Sequence, residues 1–358
     1  MQRKRRYFSL LLFLVFLLYA CLGCGATAHQ QTESSASPNA TPTETVVPVQ
    51  TEAPTPEESV PQPTETVYPA TEAPPIEAEA SPAPQTEPPA VHFTVLEPQA
   101  DGVAEKRAGK AVIDYSHVDD GYVMVQKLKE SSKRFKVQIK KGGETYTYNL
   151  PETDWAVLPL SLGDGKYNVG VYENVSGTKY ASVVSVSFDA VLSDPFAPFL
   201  RPNLYVNYQN APQTVEKGGE LTAGLSGPLQ KVDAVYAFVV GTLNYDYVQA
   251  ATVESGYIPK LDRVLKVKRG ICYDYAALMT AMLRSQNVPC KLIFGYVGKA
   301  YHAWISVWVD EEGWVDAIYF DGVSWQRMDP TFASSGGDDE TIKALIGDGK
   351  NYAEKYSY

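Results

Sequence analysis

Residues 29 to 90 hold fourteen of the chain's 25 prolines and ten glutamates but no lysine or arginine, which bounds what the chain can build. No hydrophobic core can form from such a tract, and it is expected to be a semi-extended, polyproline-like stalk. It repeats loosely, with Pro-Thr-Glu-Thr-Val at 42–46 and 63–67 and Thr-Glu-Ala-Pro at 51–54 and 71–74. That spacing corresponds to no packed repeat unit. A proline-rich ligand for a partner domain is the other reading of the tract. Folded structure therefore has to come from residues 91 to 358.

Ahead of the stalk, Arg3-Lys4-Arg5-Arg6 and the apolar run Tyr7 to Leu22 form the charged and hydrophobic regions of an export signal, too short for a comfortable membrane span. The expected location is extracytoplasmic, at a bacterial cell surface. Leu18-Tyr19-Ala20-Cys21 and Cys21-Leu22-Gly23-Cys24 both look like imperfect lipoboxes, with Cys21 or Cys24 as the lipidated residue. Ala26-Thr27-Ala28 fits ordinary signal cleavage and secretion instead. Of the formal net charge of −11, the ten stalk glutamates and four signal cations account for −6 and leave −5 for residues 91 to 358. That balance argues against a nucleic-acid partner, and contact with a membrane is expected only through the signal or a lipid anchor.

From Val91 to Ala190 short alternating segments recur: Phe93–Leu96, Ala111–Tyr115, Tyr122–Val125, Phe135–Ile139, Thr145–Tyr148, Trp155–Leu158, Tyr167–Tyr172 and Ala181–Phe188. Gly142-Gly143, Asp164-Gly165 and Ser176-Gly177 supply turns. The pattern predicts an all-β antiparallel sandwich similar to immunoglobulin-like or fibronectin-type modules. It contains no cysteine, and its His117, beside Asp119 and Asp120, reads as an exposed loop residue or, alternatively, a metal ligand. A spacer or adhesive module is expected. The domain boundaries are then 1–28 for the signal, 29–90 for the stalk, 91–190 for the sandwich and 191–358 for a second folded region.

In that second region the period changes. Leu229, Val232, Tyr236, Val239 and Leu243 recur at helical spacing behind Ser226-Gly227-Pro228, and a short turn covers Leu261 to Leu265. Gly270-Ile271-Cys272 then opens an apolar helix through Tyr275, Leu278, Met279, Met282 and Leu283 that ends near Asn287-Val288-Pro289. Strands are predicted at 290–297, 301–309, 313–319 and 324–329, so helices precede an antiparallel sheet in an α+β arrangement.

Cys272 thus sits at a helix N-terminus, where free N–H groups and the positive dipole end favour a thiolate. A nucleophilic cysteine needs a base, and His302 is the one histidine after residue 117. It shares a strand face with Trp304, Ser306 and Trp308, while Ala303, Ile305, Val307 and Val309 take the other. A third group should orient the imidazole, and Asp329 and Asp316 both end up on later strands.

Gly270-Ile-Cys272-Tyr-Asp274-Tyr-Ala276, His302-Ala-Trp304 and Asp329-Pro-Thr331, in this order, resemble the transglutaminase-like superfamily of papain-type folds across about residues 200 to 335. The resemblance implies a Cys272–His302–Asp329 triad, with Asp329 rather than Asp316 as the orienting carboxylate, and acyl-enzyme chemistry on an amide. It also implies a structural role for Asp274. The interval from His302 to Asp329 is long for compact members, and an extra hairpin around Asp321-Gly322 is expected to fill it. For the oxyanion, the backbone N–H of Cys272 is one donor. Tyr245, in the upstream Asn244–Tyr247 segment, is the side-chain candidate, although these tyrosines could equally serve packing.

Cys272 and Cys290 are the two cysteines beyond the signal, so a disulfide closing seventeen residues has to be weighed. A straight helix between them sets them about 20 Å apart, against the roughly 7 Å a bridge tolerates, and Cys290 reads as a small buried hydrophobe. No calcium loop is visible, and no metal or other cofactor is expected. The leading expectation is a cysteine peptidase or amidase acting on a peptide or protein, cell-wall peptide included. A protein transglutaminase shares the same nucleophile chemistry. A binding module with an idle triad and a Trp304/Trp308/Trp314/Trp325 platform is the alternative from another class.

Overall fold

The computed structural model describes residues 95–358 except 152, 311, 317, 321–324, 328 and 335–350. The signal with Cys21 and Cys24, and the stalk, lie outside the described residues. The described residues lie within one compact unit, Pro82–Tyr358. Among them, no helix is long and apolar enough to cross a membrane.

Two four-stranded sheets come first. β1 (Glu105–Ala108), β2 (Ala111–Asp114), β3 (Tyr122–Lys127) and β6 (Ala156–Pro159) form one in the order β1-β2-β3-β6. β4 (Phe135–Lys141), β5 (Glu144–Asn149), β7 (Gly165–Ser176) and β8 (Lys179–Ala190) form the other in the order β5-β4-β7-β8. Alternation explains their faces: Phe135, Val137 and Ile139 of β4 and Tyr146 and Tyr148 of β5 turn inward to meet Ile113, Val125 and Leu158 in one core. The first strand differs from expectation. Val95 and Leu96 are in no strand, and Val95 packs instead on the core of the helical region. The actual edge strand, Glu-Lys-Arg-Ala, is exposed and charged, so it carries no apolar alternation to read, and its charge suits an edge.

The second half is built around α5 (Cys272–Arg284), whose residues from Tyr273 to Arg284 are all buried. Around it pack α1 (Pro212–Thr222), α2 (Pro228–Thr242), α4 (Leu261–Val267) and the sheet formed by β11 (Cys290–Val297), β12 (Ala300–Val309), β13 (Gly313–Asp316) and β16 (Tyr352–Ser357), ordered β13-β12-β11-β16. Ala303, Ile305, Val307 and Val309 face this core as predicted. α5 ends at Arg284, a few residues short of the expected stop, and Asn287 takes the left-handed conformation in the turn that follows (φ 59°). The predicted 313–319 strand is split: β13 stays with β12, while β14 (Ile318–Phe320) leaves it to pair with β15 (Trp325–Arg327) as a separate hairpin.

α1 escapes the sequence pattern because it carries Gly218-Gly219 at its centre. The packing supplies the reason: a Cβ on Gly218 would lie 3.1 Å from the Met282 backbone of α5, so the glycine permits two helices to touch. α1 also lacks a cap of its own, and Asp262 of α4 accepts from its Gln213 and Thr214 backbone N–H groups at 3.2 and 2.8 Å.

The sheets and the helical half join through aromatic side chains. Tyr205 stacks on Tyr148 at 5.6 Å, and Tyr358 meets Tyr146 and Tyr148 edge-on at 5.4 and 5.6 Å. Arg284, 2% exposed, donates to the main-chain oxygens of Cys290, Arg201 and Tyr358 at 2.8, 2.8 and 2.6 Å. A buried guanidinium is tolerated because its N–H groups are matched by main-chain oxygens.

Candidate active site

The backbone places Cys272 before any side chain acts. β9 (Asn244–Tyr245) and β10 (Arg269–Gly270) pair in parallel, setting Tyr245 opposite Gly270 and directing the chain into α5. Cys272 is the first helical residue. Asp274, the third, is fully buried and accepts from the Ile271 backbone N–H at 2.7 Å, from the Tyr257 hydroxyl at 2.5 Å and from Gln249 Nε2 at 3.2 Å. Burial raises its pKa, while these three donors work to lower it. Gly270 is required by this arrangement, since a Cβ there would stand 2.5 Å from the Asp274 Cβ.

His302, on β12, brings the two other candidates together. Its Nε2 lies 2.6 Å from Asp329 Oδ2, leaving Nδ1 as the ring nitrogen for the Cys272 thiol, with which the imidazole also hydrogen-bonds. Asp329 is fully buried, and its Oδ1 accepts from the Thr331 backbone N–H at 3.0 Å at the start of α6 (Pro330–Ser334). Asp316, the competing carboxylate, is on β13 opposite Ser306, four residues along β12 from His302. Burial works to lower the His302 pKa, but the charge and hydrogen bond of Asp329, followed by Cys272, outweigh it and push it up to about 10. The imidazole therefore holds its proton at neutral pH.

Cys272, His302 and Tyr245 line one cleft of about 640 Å³. Burial, then the charge of Cys272, pushes the Tyr245 phenol up to about 12, so it remains a hydrogen-bond donor beside the sulfur. Rings of Tyr205, Tyr273, Phe294 and Tyr301 line the rest, with Phe294 4.8 Å from Tyr273 and stacked on Tyr301 at 6.1 Å. Thr147, Asn149, Leu150 and Pro151, from and just beyond β5, line the same cleft. The sheet module thus contributes part of the cleft wall.

Both later cysteines are free. Cys290 is fully buried, and burial raises its thiol to about 11, as suits a core residue. His117 lies between Asp101 and Asp120, at 2.8 and 3.3 Å, rather than beside Asp119. No group of metal-ligating side chains gathers among the described residues. The tryptophan platform is corrected: Trp304 is 2% exposed and stacked beside His302, while Trp308 and Trp314 pack against Phe196 and Phe199 at 4.8 and 5.0 Å. Trp304 is therefore core, Trp308 and Trp314 are half-buried, and the side chain of Trp325 lies outside the described residues.

Two contributors escaped the sequence reading. Tyr352 of β16 donates to Asp329 Oδ2 at 3.2 Å and meets Trp304 edge-on at 5.2 Å. Tyr257 restrains Asp274. With 24 tyrosines in the chain, nothing local distinguishes either one.

Residues 216–330 match the Transglutaminase-like superfamily, and the chain carries a domain of that superfamily. It is also similar to the UPF0252 protein MJ1282 of Methanocaldococcus jannaschii, at 26% identity over 152 residues, covering 38% of this chain and 42% of that protein's length. Among solved structures it is similar to the periplasmic domain of TgpA from Pseudomonas aeruginosa bound to ethylmercury, at 16% identity and a TM-score of 0.31, covering 69% of this chain and 80% of that one. A similarity to red sea bream transglutaminase has 15% identity and a TM-score of 0.24, covering 59% of this chain and 48% of that one. The assignment rests on the family match over 216–330.

Proposed function

We propose that this chain is an exported, surface-tethered cysteine hydrolase that cleaves peptide or isopeptide amides through an acyl-enzyme. The observation that carries the reading is one imidazole held between Cys272 and the buried Asp329, 2.6 Å away, at the wall of an open cleft. Cys272 Sγ attacks the amide carbonyl carbon, and the oxyanion takes hydrogen bonds from the Cys272 backbone N–H and the Tyr245 hydroxyl. The His302 imidazolium passes its proton to the leaving nitrogen as the C–N bond breaks. The neutral imidazole then removes a proton from water, whose oxygen displaces Cys272 from the thioester and releases the acid. Asp329 holds the ring and stabilises its charged form.

The export signal, with Cys21 or Cys24 as an anchor, and the proline-rich stalk support placement outside the cytoplasm at a distance from a surface. The two sheets are read as an immunoglobulin- or fibronectin-like sandwich over 91–190, followed by the catalytic region over 191–358. The partner is a peptide or protein, cell-wall peptide included. Replacing water by a lysine amine gives the protein transglutaminase reading, and incorporation of a dansylated amine into a glutamine-containing protein distinguishes the two.

The test is the pH dependence of iodoacetamide alkylation at Cys272, followed by peptide mass spectrometry on the full chain, with His302→Ala as control. Labelling that persists at pH 6 and is lost in the control is expected. A titration near the ordinary thiol value of about 8.5, unchanged by the substitution, overturns the reading.

A further inference from the structure

The catalytic cleft does not stop at the helical half. Thr147 of β5 lines it and also lines a second recess of about 400 Å³, on the outer face of the β5-β4-β7-β8 sheet, together with Lys136, Gln138, Tyr172, Thr178 and Tyr180. Strand register makes this a continuous row. Thr147 stands opposite Gln138 and then Gly170, while Asn149 stands opposite Lys136 and then Tyr172. The Tyr172 ring lies over Gly170, where a Cβ would come within 2.9 Å of its hydroxyl, and the Lys136 ammonium sits 5.2 Å from the Tyr180 ring.

The charges along this row are ordered. Among the described residues, those lining the catalytic cleft include Glu254 but no lysine or arginine. The described residues lining the outer recess include Lys136 and no carboxylate. Amide and hydroxyl side chains join the two, as suits a bound backbone. A ligand filling both places an uncharged, apolar group against the rings near Cys272 and a carboxylate at Lys136.

We infer that the sheet module is the substrate-recognition arm, and that its outer face binds an extended acidic peptide segment running on from the amide held at Cys272. The inference rests on the cysteine-hydrolase reading for the identity of the cleft. It makes Thr147, Asn149 and Lys136 specificity residues, none of which takes part in bond making.

Binding is measured without chemistry, by fluorescence anisotropy on the full chain carrying Cys272→Ala. The probes are two labelled decapeptides with the same central Gln-Phe pair, flanked on both sides by aspartate and glycine or by lysine and glycine. The acidic peptide is expected to bind at least threefold tighter, with the preference lost or inverted in Lys136→Glu, a surface change whose folding is checked by circular dichroism. Thr147→Trp, which fills the junction, is expected to weaken the acidic peptide by a similar factor. A preference below threefold, one that Lys136→Glu leaves intact, or indifference to Thr147→Trp overturns the inference. Because these arms need no thiol, an unreactive Cys272 in the alkylation experiment refutes the hydrolase reading and leaves this result separately interpretable.

Discussion

At the scale of single residues the site turns on the charge that Asp329 lends to His302. A buried imidazole left alone would lose its proton, yet the carboxylate 2.6 Å away pushes its pKa up to about 10. The linkage has a definite sign. Because the folded value lies above the free one, the pair's contribution to stability is complete below about pH 6.5. It is lost as pH rises through about 10. Asp329→Asn keeps the shape and removes the charge, so the His302 pKa should fall to or below the free-imidazole value. The alkaline limit of reactivity falls with it, and the rate drops by about 10³–10⁴-fold. An NMR titration of the imidazole alongside the pH–rate profile checks this; an unmoved His302 pKa would refute the role given to Asp329.

At the scale of elements, β10 and the first turn of α5 behave as one piece. Asp274 is pinned by three donors, so it has no room to give way when a side chain is added at Gly270. Gly270→Ala should destabilise the fold by about 1–3 kcal/mol through overpacking. It should also slow Cys272 alkylation, since the same turn aims the sulfur. Thermal unfolding read beside the alkylation rate tests both parts, and an unchanged melting temperature would contradict the close contact. Gly218 shows the same logic between helices, where a residue unfavourable to helix propensity is retained because it permits contact with Met282.

At the scale of the whole molecule, the sheets and the helical half share buried surface through Tyr205, Phe294, Tyr356 and Tyr358, which pack on the sheet core. Ser357 adds a backbone hydrogen bond to the Tyr146 hydroxyl at 3.3 Å. Residues 191–358 produced alone would expose this aromatic surface. They are expected to melt well below the full chain and to bind a hydrophobic dye, which differential scanning fluorimetry can read. An isolated piece as stable as the whole would show that the junction contributes little.

What the residue order determined by itself is local and periodic. The inward faces of β4 and β12, the stripe of α2, the start of α5 and the extents of β11 and β12 all follow from side-chain size repeating at period 2 or 3.6. The ordered Cys, His and Asp motifs pointed to the three residues now found together. The tertiary structure decided what depends on partners far away in the chain. It brought Tyr352 onto the Asp329 carboxylate that holds His302. It also placed a glycine pair inside α1, and turned β5 of a separate sheet into a wall of the cleft. Those outcomes come from long-range packing and hydrogen bonding, which no sequence window contains.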